Sequence, residues 1–545
     1  VVKILGYILR GASTLRARAI LTREGEKLLR EGMLVGVKTH GSLILSRVDA
    51  LQYDSKFFRE DELTVSIAKG NGDIGKLIDT VGFYCIADLS LIGAISHKGF
   101  VDVSVPPRPG DPVVNLNVED GRKLFGLSER DIVIWIESLV GYDRFPIPLK
   151  LDAITMHVGI FGETGSGKSY TMGYLIEKLS SIEIDGRTVA FPTLVIDANG
   201  DYIDIFERFQ KLRSFGSYRE VRRYVFETSA VKYQPYVYTI KLDLDELEPR
   251  ELAELVIAYR FGSLEANELQ LHLLTRALEH VKELGMSFNE MFSKPTTIEE
   301  LLTKASKELD VHPQTLRAVR SALSKFKHDL FEKYRVIALG EGHKLNSEFI
   351  DYVTSEPLLV LIDFSADGAP GIPLIVKQVV VAYLAKLIFK TFTLYKARGD
   401  QRNLLMVIEE AQNYIPNLKT YPVGFSIARD AISLIATQGR KFGVCLAIIS
   451  QRPLFVDPVV LSMVNTWFIH RVSPEDANYI SRICGGLPQS LERKLVSLGR
   501  GVCLVVGQMN PLGTPLLIRV GKRIVGHRMG EAGVASVLRK LARVG

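Results

Sequence analysis

Cysteine is scarce and unpatterned. Cys85, Cys445, Cys484 and Cys503 are the only four in 545 residues, and no two stand at C-x-x-C spacing. That argues against a zinc site and against a disulfide framework, and predicts reduced, small core residues of a cytoplasmic protein. Long hydrophobic runs are missing too. The longest apolar region, Ile372 to Leu394, is broken by Lys377, Gln378, Lys386 and Lys390. It predicts a helix packed in a core rather than a membrane span. Arg10, Arg16 and Arg18 break up any apolar start, so no signal peptide is expected. Nor does one sign of charge dominate: 68 Lys and Arg against 62 Asp and Glu leave a net charge of +6. That mild excess permits a nucleic-acid partner without demanding one. The length allows two to four domains, each with a full core.

What is present centres on Gly162-Glu163-Thr164-Gly165-Ser166-Gly167-Lys168-Ser169, which fits G-x-x-x-x-G-K-[ST]. An apolar strand pattern, His157 to Phe161, precedes it, and Tyr170 to Leu179 follows with helical spacing. Strand, glycine loop and helix together make a phosphate-binding loop, whose backbone N–H groups and helix N-terminus face triphosphate oxygens. Gly162, Thr164, Gly165, Ser166, Gly167 and Tyr170 are candidates to cradle the nucleotide. Lys168 is placed to reach the β- and γ-phosphates, and Ser169 to ligate Mg²⁺. The chain is expected to bind ATP.

Residues 1–115 hold closely spaced short strand patterns, Leu34–Thr39 and Leu43–Val48 among them, with glycine turns; a small β-barrel or sandwich is expected. Residues 116–244 carry the phosphate loop and then Thr193–Asp197, an apolar strand ending in a carboxylate. Two readings of Asp197 stay open: a group facing Mg²⁺ or the attacking water, or a turn or cap aspartate. Residues 245–340 switch to helical spacing and predict an inserted helical subdomain, with a capping box at Thr296–Glu300 and a further helix from Pro313 to about Tyr334. Its basic face, Arg317, Arg320, Lys325 and Lys327, suits either solvent or DNA.

From 341 to 517 the apolar strands resume, so an α/β core with a mostly parallel central sheet is expected. Leu404–Ile408 leads into Glu409-Glu410. At the end of a buried strand downstream of a phosphate loop, Glu409 is expected to help hold Mg²⁺ and Glu410 to polarise the attacking water. Gln451, after the strand Val444–Ser450, is a candidate γ-phosphate sensor or water-orienting group. Arg440 is a candidate arginine finger acting on a neighbouring subunit, with Arg429 as second choice; a solvated cationic loop is the other reading. Residues 518–545 form a tail with Arg523, His527 and Arg528, ending in a predicted basic helix, Val534 to Arg543.

Taken together, the glycine loop, Ile196–Tyr202, Glu409–Ala411, Gly439–Gly443 and Ser450–Pro453 resemble the HerA family, DNA-translocating ATPases and helicases of the FtsK–HerA superfamily. The resemblance implies a RecA-like P-loop core and an N-terminal barrel like that of F-type ATP synthase subunits. It also implies a homohexameric ring around double-stranded DNA, ATP sites between subunits, and a NurA-type nuclease partner in DNA-end resection and double-strand-break repair. A conjugation- or packaging-type DNA pump and a nucleotide-switched scaffold are the alternatives. The chain departs from the family pattern at three places. Asp197-Ala198-Asn199-Gly200-Asp201-Tyr202 stands where many relatives have Asp-Pro-His-Gly-Glu-Tyr. Gln412 stands where they tend to have His, and Met156 where an Arg is expected. Candidate DNA-facing cations are Lys419, Arg429 and the cluster Lys211, Arg213, Arg219, Arg222 and Arg223.

Overall fold

The computed structural model describes residues 2–55, 83–96, 99–117, 121–340, 343–422 and 424–526. The predicted basic helix at 534–543, with His527 and Arg528, lies outside these residues. The chain forms two compact units: Val1–Asp152 with Trp467–Gly521, and Ala153–Thr466 with the chain from Lys522 onward.

The first unit contains a closed β-barrel. Its strands are β1 (Ile4–Ile8), β2 (Arg16–Leu21), β3 (Leu34–Thr39), β4 (Ser42–Ser55), β5 (Phe83–Ser96), β6 (Gly99–Val101) and β7 (Pro112–Val114). The order β2-β1-β7-β3-β4-β5 closes when β2 pairs antiparallel with β5, and β6 extends the far edge of β5. Closure removes the exposed edges of an open sheet. The period-2 pattern of β2 gives the reason for its register. Ala17, Ala19 and Leu21 face the barrel interior with Val35, Val37, Ile44 and Leu89, while Arg16 and Arg18 face solvent.

The second unit is built on seven parallel strands: β8 (Val158–Phe161), β9 (Thr193–Asp197), β10 (Glu220–Val225), β11 (Val237–Thr239), β12 (Leu358–Asp363), β13 (Leu404–Ile408) and β14 (Val444–Ser450). They lie in the order β11-β10-β12-β9-β13-β14-β8. All six pairings are parallel. β9, β12, β13 and β14 are buried along their whole length, which is why they read as continuous apolar runs rather than alternating ones. The order reverses beside β9, β13 and β14, and it is there that strand C-termini leave a crevice for ligands. Helix α1 (Lys168–Leu179) follows β8, and α2 (Ile203–Leu212) follows β9.

The inserted helices are α3 (Pro249–Phe261), α4 (Glu268–Glu283), α5 (Pro295–Glu308) and α6 (Pro313–Phe326). α6 passes into a wider turn, Lys327–Lys333, before Tyr334. The capping box expected at Thr296 is absent. Pro295 opens α5 at its first position and Lys294 caps it without a side-chain bond, so Thr296 lies inside the first turn. Helix α7 (Leu374–Ala397) carries the long apolar region and is buried on most of its faces. Among the described residues no helix is long and apolar enough to cross a membrane. Cys85, Cys445 and Cys503 are buried free thiols, and Cys484 is half-buried.

Candidate nucleotide site

The loop between β8 and α1 owes its shape to glycine. Gly165 and Gly167 have φ of 75° and 116°, backbone values that side chains rarely adopt. Ser166 donates to the carbonyl of Glu163 at 2.7 Å. The Lys168 ammonium donates to the same carbonyl at 3.1 Å, which keeps it over the loop. Burial lowers the Lys168 pKa, and the carboxylates of Glu410, Glu409, Asp201 and Glu163 oppose that shift. The lysine therefore sits within the field of four carboxylates.

Because β13 and β14 lie next to each other and β14 pairs with β8, the carboxylates at the end of β13 face the loop. Glu409 is 1% exposed and accepts a short hydrogen bond from the Tyr202 phenol. Burial, with repulsion from Asp201, Asp197 and Glu410, pushes its carboxyl up to about 8, against the pull of the Tyr202 bond. Glu410 stands in the left-handed region at φ 50°. A non-glycine residue there costs about 1–3 kcal/mol and persists only where its surroundings hold it. Two amides do so: Gln412 donates at 2.5 Å and Gln451 at 3.3 Å. Gln451 is tied in turn to the loop, accepting the Thr164 hydroxyl at 3.1 Å.

Asp197 is fully buried, and its two oxygens accept the backbone N–H groups of Gly200, Asp201 and Tyr202 at 2.8, 3.0 and 3.1 Å. Burial and the charges of Asp363 and Asp201 still push it up to about 7. This geometry holds the turn into α2 and so places the Tyr202 hydroxyl on Glu409. Ser169 is half-buried in the first turn of α1. Its hydroxyl and the Glu409 carboxylate are hard oxygen donors. The mutual repulsion of Asp197, Asp201, Glu409 and Glu410 is the kind of charge excess that a divalent cation relieves.

The side chains of Tyr170 and Glu177 on α1 face a different neighbour. The Tyr170 hydroxyl accepts the backbone N–H of Arg523 at 2.9 Å. The Arg523 guanidinium lies buried against Glu177 at 3.2 Å, and Glu177 also takes the N–H groups of Ile524 and Val525 at 2.7 and 3.1 Å.

The two candidate fingers differ sharply. Arg440 is exposed on the short turn Gly439–Phe442 and forms no ion pair among the described residues. Arg429 is engaged by Asp457. His157 connects the phosphate-loop strand to this region. Its Nδ1 accepts the N–H of Leu446 at 3.0 Å, and its Nε2–H donates to the carbonyl of Ala436 at 2.9 Å, within α8 (Arg429–Gln438). An Nδ1 that accepts an N–H carries no proton, so both bonds belong to the neutral ring, the form that burial also favours. Sequence reasoning gave no role to His157, Tyr202 or Ser450. Tyr202 was within reach, because it sits in the Ile196–Tyr202 motif.

The candidate DNA-facing cations divide as well. Arg223 is buried in an ion pair with Asp363, and Arg222 pairs with Glu220 and stacks on Tyr352 and Tyr238. Lys211, Arg213, Arg219 and Lys419 remain exposed. On α6 and the turn after it, Arg320 pairs with Glu299, Lys327 pairs with Glu332, and Lys325 lies over the Tyr259 ring. Arg317, the fourth residue of that face, is exposed and forms no ion pair among the described residues.

Residues 136–388 match the family described as "Helicase HerA, central domain". The chain is 24% identical over 533 residues to a probable helicase of Methanocaldococcus jannaschii, covering 95% of this chain and 91% of that one. It is also 24% identical over 533 residues to the DNA double-strand break repair helicase HerA of Sulfurisphaera tokodaii, covering 95% and 93%. Among solved structures, plasmid coupling protein TrwB in complex with ADP and Mg²⁺ is similar at a TM-score of 0.49 and 13% identity, over 76% of this chain and 94% of that chain.

Proposed function

We propose that this chain is a HerA-type P-loop ATPase that works as a cytoplasmic, ATP-driven motor on double-stranded DNA, assembled as a homohexameric ring. The observation that carries the reading is the hydrogen-bonded path from the phosphate loop to the carboxylate pair: Thr164 to Gln451, and Gln451 to Glu410. Nucleotide binding alone needs only the loop. A carboxylate bracketed beside it supports hydrolysis.

In this reading Gly162 to Tyr170 hold the triphosphate, and Lys168 neutralises charge on its terminal phosphates. Ser169 and Glu409 would hold Mg²⁺, which supplies charge neutralisation between the β- and γ-phosphates when bound. Glu410 orients the attacking water and takes its proton. Gln451 senses the terminal phosphate, and Asp197 keeps Tyr202 and Glu409 in register. Arg440 is delivered to the next subunit's site, so hydrolysis in one site is felt at another. Relatives named as DNA double-strand break repair helicases support a role in double-strand-break repair; within the proposal that role is DNA-end resection alongside a NurA-type nuclease. DNA is gripped through phosphates, so binding falls with salt and carries little sequence preference.

The test is Glu410→Gln. A motor predicts that this variant traps ATP and keeps its hold on duplex DNA while turnover is lost. Undiminished turnover would contradict the assignment of the base.

A further inference from the structure

We infer that Gln412, oriented by Ser450, is a positioning residue for Glu410. Its amide keeps that carboxylate aimed while the phosphate loop governs the other side of the bracket through Thr164 and Gln451. The inference rests on the reading of Glu410 as the base.

The argument starts from amide chemistry. A glutamine side chain offers an acceptor and two donors that can exchange places by a flip, so its orientation is set by whatever holds the carbonyl. For Gln412 that group is the Ser450 hydroxyl, which donates to Oε1 at 2.7 Å. The amide NH₂ is thereby turned onto Glu410 Oε2 at 2.5 Å. For Gln451 the group is the Thr164 hydroxyl, donating to Oε1 at 3.1 Å, and its NH₂ turns onto Glu410 Oε1 at 3.3 Å. Each oxygen of Glu410 therefore has its own amide donor, and each amide has its own hydroxyl to orient it.

The two arms differ in burial. Gln412 is 6% exposed and Ser450 1%, so that arm is fixed in the protein interior. Thr164 is exposed on the loop that meets the triphosphate, so the arm through Gln451 answers to what the loop holds. The short Gln412 bond is the constant constraint and the longer Gln451 bond the adjustable one. Glu410 also needs support, because its backbone at φ 50° lies in a strained region. Without Gln412, no other donor to Oε2 remains among the described residues, and the carboxylate would turn about the longer Gln451 bond.

The experiment is steady-state ATP turnover of the full chain, with KM and kcat separated, for Gln412→Leu and Ser450→Ala beside Glu410→Gln. Loss of one donor to a charged acceptor should lower kcat about 10-fold or more in Gln412→Leu while KM stays near wild type. Ser450→Ala removes only the orienting hydroxyl, so it should lower kcat in the same way by less. It also serves as the readout if Gln412→Leu does not fold. Wild-type kcat in a folded Gln412→Leu, or a rise in KM alone, would overturn the inference. If Ser450→Ala is the folded variant, wild-type kcat there would do the same. If Glu410→Gln itself turns over ATP normally, the reading of the base fails instead.

Discussion

Arg429 is locked to Asp457: its Nε and Nη2 donate to the same carboxylate oxygen at 2.9 and 2.7 Å. Asp457 is 4% exposed at the side chain and also caps the helix that starts at Pro458, accepting the N–H of Val459 at 2.8 Å. A guanidinium with this task in its own subunit is poorly suited to reach a neighbour's phosphate. Arg440, exposed and without an ion pair among the described residues, is suited to it. Arg440→Ala should therefore lower kcat by roughly 10³-fold or more with an unchanged melting temperature. Arg429→Ala should lower the melting temperature, because it leaves a buried carboxylate without its counter-ion. Kinetics and thermal melts of the two variants, measured side by side, check the assignment; the opposite pattern would exchange the roles.

The raised carboxyl of Glu409 makes stability depend on pH. Its value of about 8 in the folded chain exceeds the ordinary 4.5, so the folded state binds the proton more tightly than the unfolded chain. Its contribution to stability is then fully present below about 4.5 and is lost as pH rises through about 8. Asp197, pushed up to about 7, acts in the same direction. Glu409→Gln keeps an acceptor for Tyr202 and cannot ionise. Its melting temperature relative to wild type should rise between pH 5 and pH 9 when measured without nucleotide or Mg²⁺. A constant difference would show that Glu409 does not titrate in this window.

Glycine 173 stands in mid-helix, where alanine is ordinarily better by about 1 kcal/mol. A Cβ there would come within 2.6 Å of the Arg523 guanidinium, which Glu177 holds in place. Gly173→Ala should therefore destabilise the protein rather than stabilise it. Glu177→Gln should also destabilise, because it removes the carboxylate that lies 3.2 Å from the buried Arg523 guanidinium. Urea unfolding of both variants measures both losses directly. A stabilised Gly173→Ala would mean that the segment after Lys522 does not press on α1.

The parallel core was legible because its strands are buried on both faces. Thr193–Asp197 and Leu358–Asp363 read as unbroken apolar runs, and the structure ends them at the same residues. Among the barrel strands, Leu34–Thr39 coincides with a run read from the sequence, whereas the short alternating strand Arg16–Leu21 was not singled out. The start of α5 was misjudged because Thr296 and Glu299 mimic a cap, while Pro295, with its fixed φ, had already begun the helix. At the site, the glycine loop and Glu409-Glu410 are local patterns. Gln412 stands two residues from Glu410, but Gln451, Ser450 and Thr164 join them only because β8, β14 and β13 are neighbours. The role of Tyr202 likewise depends on a turn held by Asp197, and no periodicity encodes that.

The most direct test of a DNA motor is ATP turnover by the full chain, with and without duplex DNA, at low and raised salt. The account predicts that duplex DNA stimulates hydrolysis, that raised salt removes the stimulation as phosphate contacts weaken, and that Glu410→Gln shows no turnover in either case. A rate indifferent to DNA at every salt concentration would contradict it and favour a nucleotide-switched scaffold.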